Sequence, residues 1–147
     1  MNLRIFSLLA FILLFFGTVL MAGDFVDNGD GTVTDHNTNL MWQQGENGGM
    51  NWESALTCCE DLYLADFNDW RLPNVKELES ITDESLYSPA IDAGYFPDVQ
   101  GPQYWTSTTS VNNTTYAWHV GFDNASVHPG GIKTDNSHYV RCVRVGQ

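Results

Sequence analysis

The oxygen-bearing side chains of residues 25–35 are the first place where this sequence could do chemistry. The segment reads FVDNGDGTVTD and holds three aspartates and an asparagine around two glycines. Clustered carboxylate and amide oxygens are what calcium takes in a helix–loop–helix site. A calcium loop starting at Asp27 would put glycines at two ligand positions and Thr38 where a bidentate glutamate is required. A start at Asn28 would put Val33 at the obligatory glycine, so the segment predicts tight turns instead.

Cysteine and histidine side chains offer a second route to chemistry, as nucleophiles or metal ligands. Cys58 and Cys59 are adjacent on a predicted helix, so their side chains diverge and suit neither a mutual bond nor a reactive pair. The strands that carry His119 and His138 could bring these two together, but no serine–histidine–acid arrangement can be identified. The four histidines lie in predicted turns and strands: His36, His119, His128 and His138. We therefore predict a chain that is not an enzyme, with no catalytic residue, no metal site and no cofactor.

Two helices are predicted in the middle of the chain. The first begins after Asn51, a good N-cap, and carries an apolar stripe that starts at Trp52. Cys59 lies on this stripe, whereas Cys58 lies about 100° away from it around the helix. Cys59 is therefore the better candidate for a buried bridge and Cys58 for a leftover thiol. The second helix is predicted from a capping box in residues 74–77.

Strands are predicted at both ends of the chain. Asn-Gly and Asp-Gly pairs in residues 28–31 predict a hairpin, and residues 116–122 alternate apolar with small or polar side chains. Residues 138–145 are predicted to close the chain as a strand. Between helices and strands, residues 83–103 are broken by prolines and glycines and form the long loop, where binding residues tend to lie.

The first 23 residues are typical of a secretory signal peptide. Arg4 precedes an almost wholly apolar run over residues 5–20, and small residues follow. The alternative is an uncleaved N-terminal anchor, because one cleavage position lacks its preferred small side chain. The folded domain is expected over residues 24–147, in a secreted, periplasmic or cell-surface protein.

The charge of the chain limits its partners. The net charge is −12, and removal of Arg4 with the signal peptide leaves five cations against 18 acids, or −13. Such an acidic chain repels phosphate backbones and anionic lipid, so nucleic acid and membrane surfaces are excluded as partners of the mature domain. Basic partners, cations and neutral ligands remain.

Six blocks of sequence, in this order, resemble the Lcl C-terminal domain family, a bacterial domain of largely unknown function: FVDNGDGTVTD, LMWQQ, WESALTCCEDL, NDWRLPNVKEL, YWTSTT and YVRCVR. The resemblance covers residues 25–145. It implies an α+β, C-type-lectin-like fold in which two helices pack on a short, twisted antiparallel sheet with long irregular loops. It also implies a disulfide between Cys59 and Cys142, which leaves Cys58 as a free or intermolecular thiol.

Two binding activities associated with the fold or the family do not transfer to this sequence. Calcium-dependent sugar binding by lectin-like folds needs an Asn-Asp pair after the tryptophan, whereas Trp105 is followed by Thr-Ser. Binding of sulfated polysaccharide, suggested for the adhesin that names the family, needs clustered Lys and Arg. The mature chain has only five such residues, and some of them are expected to pair with internal acids.

We therefore expect an exported, non-catalytic, lectin-like binding or adhesion module that recognises an extracellular glycan or protein ligand. Its ligand surface is expected to comprise residues 83–114 and the loop 128–137. Four residues are the expected contacts, if exposed: Tyr95, Tyr104, Trp105 and Asn112. The alternative is a structural or assembly subunit of a cell-surface or envelope complex, with Cys58 joining a disulfide-linked dimer.

Overall fold

The computed structural model of the protein describes residues 25–146. The signal peptide or anchor predicted over residues 1–23 lies outside these residues. Nine strands and two helices follow one another in this order: β1 (Phe25–Asp27), β2 (Thr32–Asp35), β3 (Leu40–Gln43), β4 (Asn47–Met50), α1 (Trp52–Glu60), α2 (Val75–Glu79), β5 (Gln103–Thr109), β6 (Tyr116–Gly121), β7 (Val127–Ile132), β8 (His138–Val140) and β9 (Val143–Val145). In the part of the chain that is described, no helix is long and apolar enough to cross a membrane.

The strands form two sheets. The first has four antiparallel strands in the order β1-β2-β3-β9, so the C-terminal strand pairs with the N-terminal hairpin. The second has five strands in the order β4-β8-β5-β6-β7, and only its β5–β8 pair is parallel among these neighbours. β4 and β7 are therefore the edges of the second sheet.

The predicted α+β, C-type-lectin-like layout of two helices on a short sheet is wrong. The described chain is mostly β, with sheets of four and five strands, and its two helices are only nine and five residues long. The sequence of β4 is NGGM and that of β7 is VHPGGI, compositions that indicate loops. Both are edge strands, where glycine and proline are tolerated because one side of the backbone needs no partner. These two strands enlarge the sheet beyond what the sequence pattern predicts.

The N-terminal segment forms the predicted tight turns, and its aspartates stabilise them. Gly29 and Gly31 have φ angles of 73° and 87°, the left-handed region that favours glycine. Asp27 and Asp30 each accept a hydrogen bond from the backbone N–H two residues later, at 2.8 and 3.1 Å. Asp35 accepts one from its own turn in the same way, at 2.9 Å. The carboxylates thus fix the backbone of the hairpin.

Side-chain caps begin both helices at the predicted residues. Asn51 accepts a hydrogen bond from the backbone N–H of Ser54, at 2.9 Å. Asn74 and Glu77 form the reciprocal capping box, and Glu77 also makes a bidentate pair with Arg71 at 2.7 Å for each bond. The same carboxylate therefore ties the start of α2 to the chain that precedes it.

A disulfide between Cys59 and Cys142 joins α1 to the segment between β8 and β9. This bridge confirms the predicted pairing, and Cys58 is the free cysteine among residues 25–146. Both bridged cysteines are fully buried in a hydrophobic cluster that includes Trp70 and Trp105. The bridge thus lies in the core that α1 shares with the second sheet.

Buried Arg141 holds two loops together. Its guanidinium donates to the backbone carbonyls of Gln43, Gln44 and Gly45, and to that of Asp98 at 3.2 Å. Arg141 itself is fully buried, and these bonds offset the cost of burying its charge. One side chain therefore connects the loop after β3 to the end of the long loop predicted over residues 83–103.

Candidate functional site

A cleft of 580 Å³ opens between the β2–β3 turn, the end of α2 and the long loop. We call it the acidic cleft, because four carboxylate residues line it: Asp35, Asp83, Glu84 and Asp92. Aromatic rings of Phe25 and Tyr95 form part of its wall. Amide and hydroxyl groups complete the lining: Asn37, Thr38, Ser80 and Thr82. A concave site of mixed aromatic and polar character is typical of ligand binding.

Tyr95 is positioned by a short turn in the long loop. Asp92 starts this turn, since its backbone carbonyl accepts from the backbone N–H of Tyr95 at 3.1 Å and from that of Phe96 at 2.9 Å. The Asp92 carboxylate also accepts from the backbone N–H of Gly94 at 2.8 Å. The Tyr95 ring packs beside Phe25 of β1, with 5.6 Å between ring centroids. The half-buried tyrosine is thereby braced against the first sheet.

Three of the four carboxylates of the acidic cleft accept hydrogen bonds from local donors, namely those of Asp35, Asp83 and Asp92. Asp83 accepts hydrogen bonds from the hydroxyl and the backbone N–H of Ser85, and these bonds hold the pKa of Asp83 below its usual value. Asp35 is buried, and its second oxygen accepts from the Thr38 hydroxyl. None of the three ion pairs found within residues 25–146 involves a carboxylate of the cleft. The cleft therefore presents uncompensated negative charge.

The cations of the described chain are all engaged elsewhere. Three of them form ion pairs with acids outside the cleft: Arg71 with Glu77, Lys76 with Glu79, and Arg144 with Asp69. The Lys133 ammonium lies 3.8 Å from the centroid of the Trp52 ring, and Arg141 is buried. The predicted structural pairing of some of these cations is thus confirmed. Residues 25–146 offer no cluster of free cations to a polyanion.

The four predicted contact residues are not brought together. Tyr104 and Trp105 have exposed fractions of 0%, so neither meets the condition of exposure on which its assignment as a contact depends. Consecutive residues of β5 point to opposite faces of the sheet, and both faces are covered, so each ring enters a different hydrophobic cluster. Asn112 is exposed between β5 and β6, and only Tyr95 lines the acidic cleft.

Sequence reasoning missed most of the acidic cleft. Asp83, Glu84 and Asp92 belong to the long loop that was expected to carry the ligand surface. The position of the loop in the sequence therefore indicates this half of the cleft. The opposite wall comes from Asp35 and its turn, some 50 residues earlier in the chain. No local sequence pattern indicates that the β2–β3 turn and the long loop face each other. The position of that turn is set by the strand pairing of the first sheet.

No group of three or more His, Cys, Asp or Glu side chains within residues 25–146 is arranged to hold a metal ion. A second, smaller cleft of 270 Å³ is lined by residues that include Ser88, Gln100 and Phe122. It belongs to the same loop region and contains one carboxylate residue, Asp123, against four in the acidic cleft. The acidic cleft is therefore the better candidate for a charged or hydroxyl-rich ligand.

Comparison with known proteins places the chain in a family. A family model described as the Lcl C-terminal domain matches residues 31–144, well over half of the chain. Neither a curated protein nor a solved structure matches the chain. A domain family of this kind does not by itself specify a ligand or a reaction. The extent of the match shows that the chain belongs to the Lcl C-terminal domain family.

Proposed function

We propose that this protein is an exported, non-catalytic binding module that recognises an extracellular glycan or protein ligand through the acidic cleft. The observation that carries the proposal is the composition of that cleft. Tyr95 offers an aromatic face beside carboxylate, amide and hydroxyl groups. Aromatic faces stack on apolar ligand surfaces and attract cations, while planar polar groups accept from hydroxyls and amines.

The charge of the cleft selects among ligands. Four carboxylate residues that have no ion-pair partner in the described part of the chain favour a ligand that is neutral or positively charged. A sulfated polysaccharide would be repelled, and the cations it requires are engaged in internal contacts. We therefore assign the module a neutral or amine-bearing glycan, or a basic segment of a protein.

Export is supported by the disulfide. A buried bridge such as Cys59–Cys142 is typical of proteins that fold in an oxidising compartment. The signal-peptide pattern of residues 1–23 agrees with this, and we propose a secreted, periplasmic or cell-surface location.

The alternative role, a subunit tethered through Cys58, has less support. The internal bridge consumes the other two cysteines, so only Cys58 remains for a bond between chains. Its side chain is half-buried, and burial together with the charge of Asp61 raises the pKa of the Cys58 thiol. A thiol that stays protonated at neutral pH is slow in disulfide exchange.

A binding comparison with three saccharides and two peptides tests the proposal. The probes are a glucosamine hexamer, its N-acetylated counterpart and heparin, together with oligolysine and oligoglutamate. We expect binding of a cationic or neutral probe by residues 24–147, and none of heparin or oligoglutamate. Binding is expected to be equal with calcium and with chelator.

Matched tyrosine variants locate the site. Tyr95→Ala is expected to weaken binding about tenfold, the scale of one buried aromatic contact of ~1.4 kcal/mol. Tyr63→Ala is the control, because Tyr63 is 68% exposed and does not line the acidic cleft. Equal affinity of the Tyr95→Ala variant and the parent, or preferential binding of heparin, would refute the proposal.

A further inference from the structure

Three histidines form a row across the second sheet, away from the acidic cleft. His119 of β6 lies directly opposite Trp105 of β5 and His128 of β7 in the strand registers. The His119 and His128 ring centroids are 5.5 Å apart, and those of His119 and His138 are 4.8 Å apart. His138 of β8 stacks on Trp105 with 4.0 Å between centroids. We call His119, His128 and His138 the histidine row.

Two imidazoles of the histidine row are buried with a nitrogen unpaired. His119 is 7% exposed and His138 is 4% exposed. Nδ1 of His119 and Nε2 of His138 have no hydrogen-bond partner within the described chain. Burial without a partner is tolerated better by a neutral imidazole than by an imidazolium. The pKa of His119 is accordingly lowered to about 4, first by burial and then by the two other histidines, and burial also lowers that of His138.

The backbone of β7 lies directly on this row at Gly131. A Cβ built on Gly131 would come 2.4 Å from Cζ3 of Trp105 and 3.0 Å from Nδ1 of His119. The unpaired nitrogen of His119 is therefore covered by the β7 main chain. Water can reach a charged His119 at this atom only if β7 moves away.

β7 can leave the sheet without breaking a second strand pairing. It is one of the two edge strands of the second sheet and pairs only with β6, with a register irregularity between Ala117 and His119. Its middle residues 128–130 are exposed. Local opening is drawn from such weakly held elements.

We propose that the histidine row is an acid-sensitive latch that holds β7 on the second sheet when its imidazoles are neutral and releases β7 when they take up protons. The latch is independent of the acidic cleft, and it gives the module a second, acid-released state. A proton added at Nδ1 of His119 finds no acceptor within residues 25–146, and a further proton on another imidazole of the row adds repulsion between like charges.

Few charged groups oppose or assist this latch. His119 faces His128 from β7 and His138 from β8, with the uncharged Trp105 beside it on β5. Asp135, in the loop between β7 and β8, is the acid whose charge acts on His138, and this attraction is weaker than the effect of burial. Lys133 of the same loop is directed to Trp52 of α1 and donates to Thr109. Within the described residues, the charged groups that act on His119 are thus the two other histidines, and no carboxylate is among them.

Hydrogen exchange of the intact chain between pH 7.5 and pH 4.5, corrected for intrinsic rates, tests the latch. If the open state titrates at 6.5 and the closed state at about 4, the opening equilibrium of β7 increases about sevenfold between pH 6 and pH 5. β7 is expected to be less protected than the first sheet at every pH, because its release needs less than global unfolding. Equal protection of β7 at the two extremes, or equal protection of β7 and the first sheet, which would show that β7 opens only with the whole chain, would overturn the proposal.

Variants separate the latch from general acid sensitivity. His119→Phe is expected to remove the sevenfold part of the β7 acid response that belongs to His119, whereas His36→Gln, at an exposed turn, is expected to leave the wild-type response. A folded His119→Phe variant that keeps the full wild-type acid response would contradict the latch. If that variant does not fold, NMR titration of the wild-type imidazoles decides: titration of His119 near pH 6.5 would overturn the proposal, and titration below pH 5 together with the β7 exchange result supports it.

Discussion

Replacing both bridged cysteines by alanine tests the role of the disulfide in holding α1 to the end of the chain. Cys59 and Cys142 are separated by 83 positions, so the bridge closes a long loop in the unfolded chain. Chain-entropy reasoning gives about 4.5 kcal/mol of stabilisation for a loop of that length. Both sulfurs are buried in the core beside Trp105, so their removal also leaves a small void that costs about 1 kcal/mol.

The expected loss of about 5 kcal/mol is a large part of the 5–15 kcal/mol that stabilises a typical domain. The melting temperature of the Cys59→Ala/Cys142→Ala variant is expected to fall by about 15 °C or more. Urea unfolding followed by tryptophan fluorescence measures the free energy directly, and reductant added to the wild-type protein is expected to reproduce most of the loss.

The third cysteine supplies the matched control. Cys58 is adjacent to the bridge in sequence but is half-buried and free. Cys58→Ala is expected to change the free energy of unfolding by less than about 1 kcal/mol and to leave the chain monomeric on a non-reducing gel. An equal cost of Cys58→Ala and of the double variant, or a loss below about 1 kcal/mol in the double variant, would refute the stabilising role of the disulfide.

Three further predictions concern the histidine row, buried Arg141 and metal. Because the pKa of His119 is about 4 in the folded chain and 6.5 in the ordinary case, the unfolded chain binds more protons between these values. The contribution of neutral His119 to the free energy of unfolding is therefore fully present above pH 6.5 and is lost as pH falls towards 4, by up to about 3 kcal/mol. Urea unfolding of His119→Phe should not show this loss. The same loss in the variant as in the wild-type protein would contradict the prediction. Arg141→Met removes the donor to four backbone carbonyls and is expected to lower the free energy of unfolding by about 3 kcal/mol, measured by thermal unfolding. A decrease below about 1 kcal/mol would be inconsistent with this role of Arg141. Chelator is expected to leave the melting temperature unchanged because Asp27 and Asp30 accept hydrogen bonds within their own turns, and a drop of several degrees would reveal a bound cation.

Local features of this fold are predictable from sequence because their causes are local. The caps Asn51 and Asn74 bond backbone groups two or three residues away, and the glycines of the first hairpin supply the positive φ angles of its turns. Asn39 takes a φ of 56°, in agreement with the ability of asparagine to replace glycine in a left-handed turn. Cys59 could be identified because it shares a helical face with other buried residues.

Features that depend on contacts between residues far apart in the sequence are not predictable from local patterns. β7 contains Pro129 and two glycines, which indicate a loop unless its position at the sheet edge is known. Tyr104 and Trp105 resemble surface aromatics of a loop, but the strand that carries them is covered on both faces. The acidic cleft unites Asp35 with Asp92 only after the first sheet and the long loop have packed.

The most direct test of the proposed function is to map a bound probe on the chain by NMR chemical shifts. The ¹⁵N-labelled mature domain is titrated with the glucosamine hexamer, its N-acetylated counterpart and oligolysine, at low and at moderate salt. We expect the shifts to be concentrated at residues 35–38, 80–84 and 92–95, and the cationic probes to bind more weakly as salt increases. Saturable shifts centred elsewhere, such as around exposed Asn112, or binding of none of the three probes, would contradict the assignment of the acidic cleft as the ligand site.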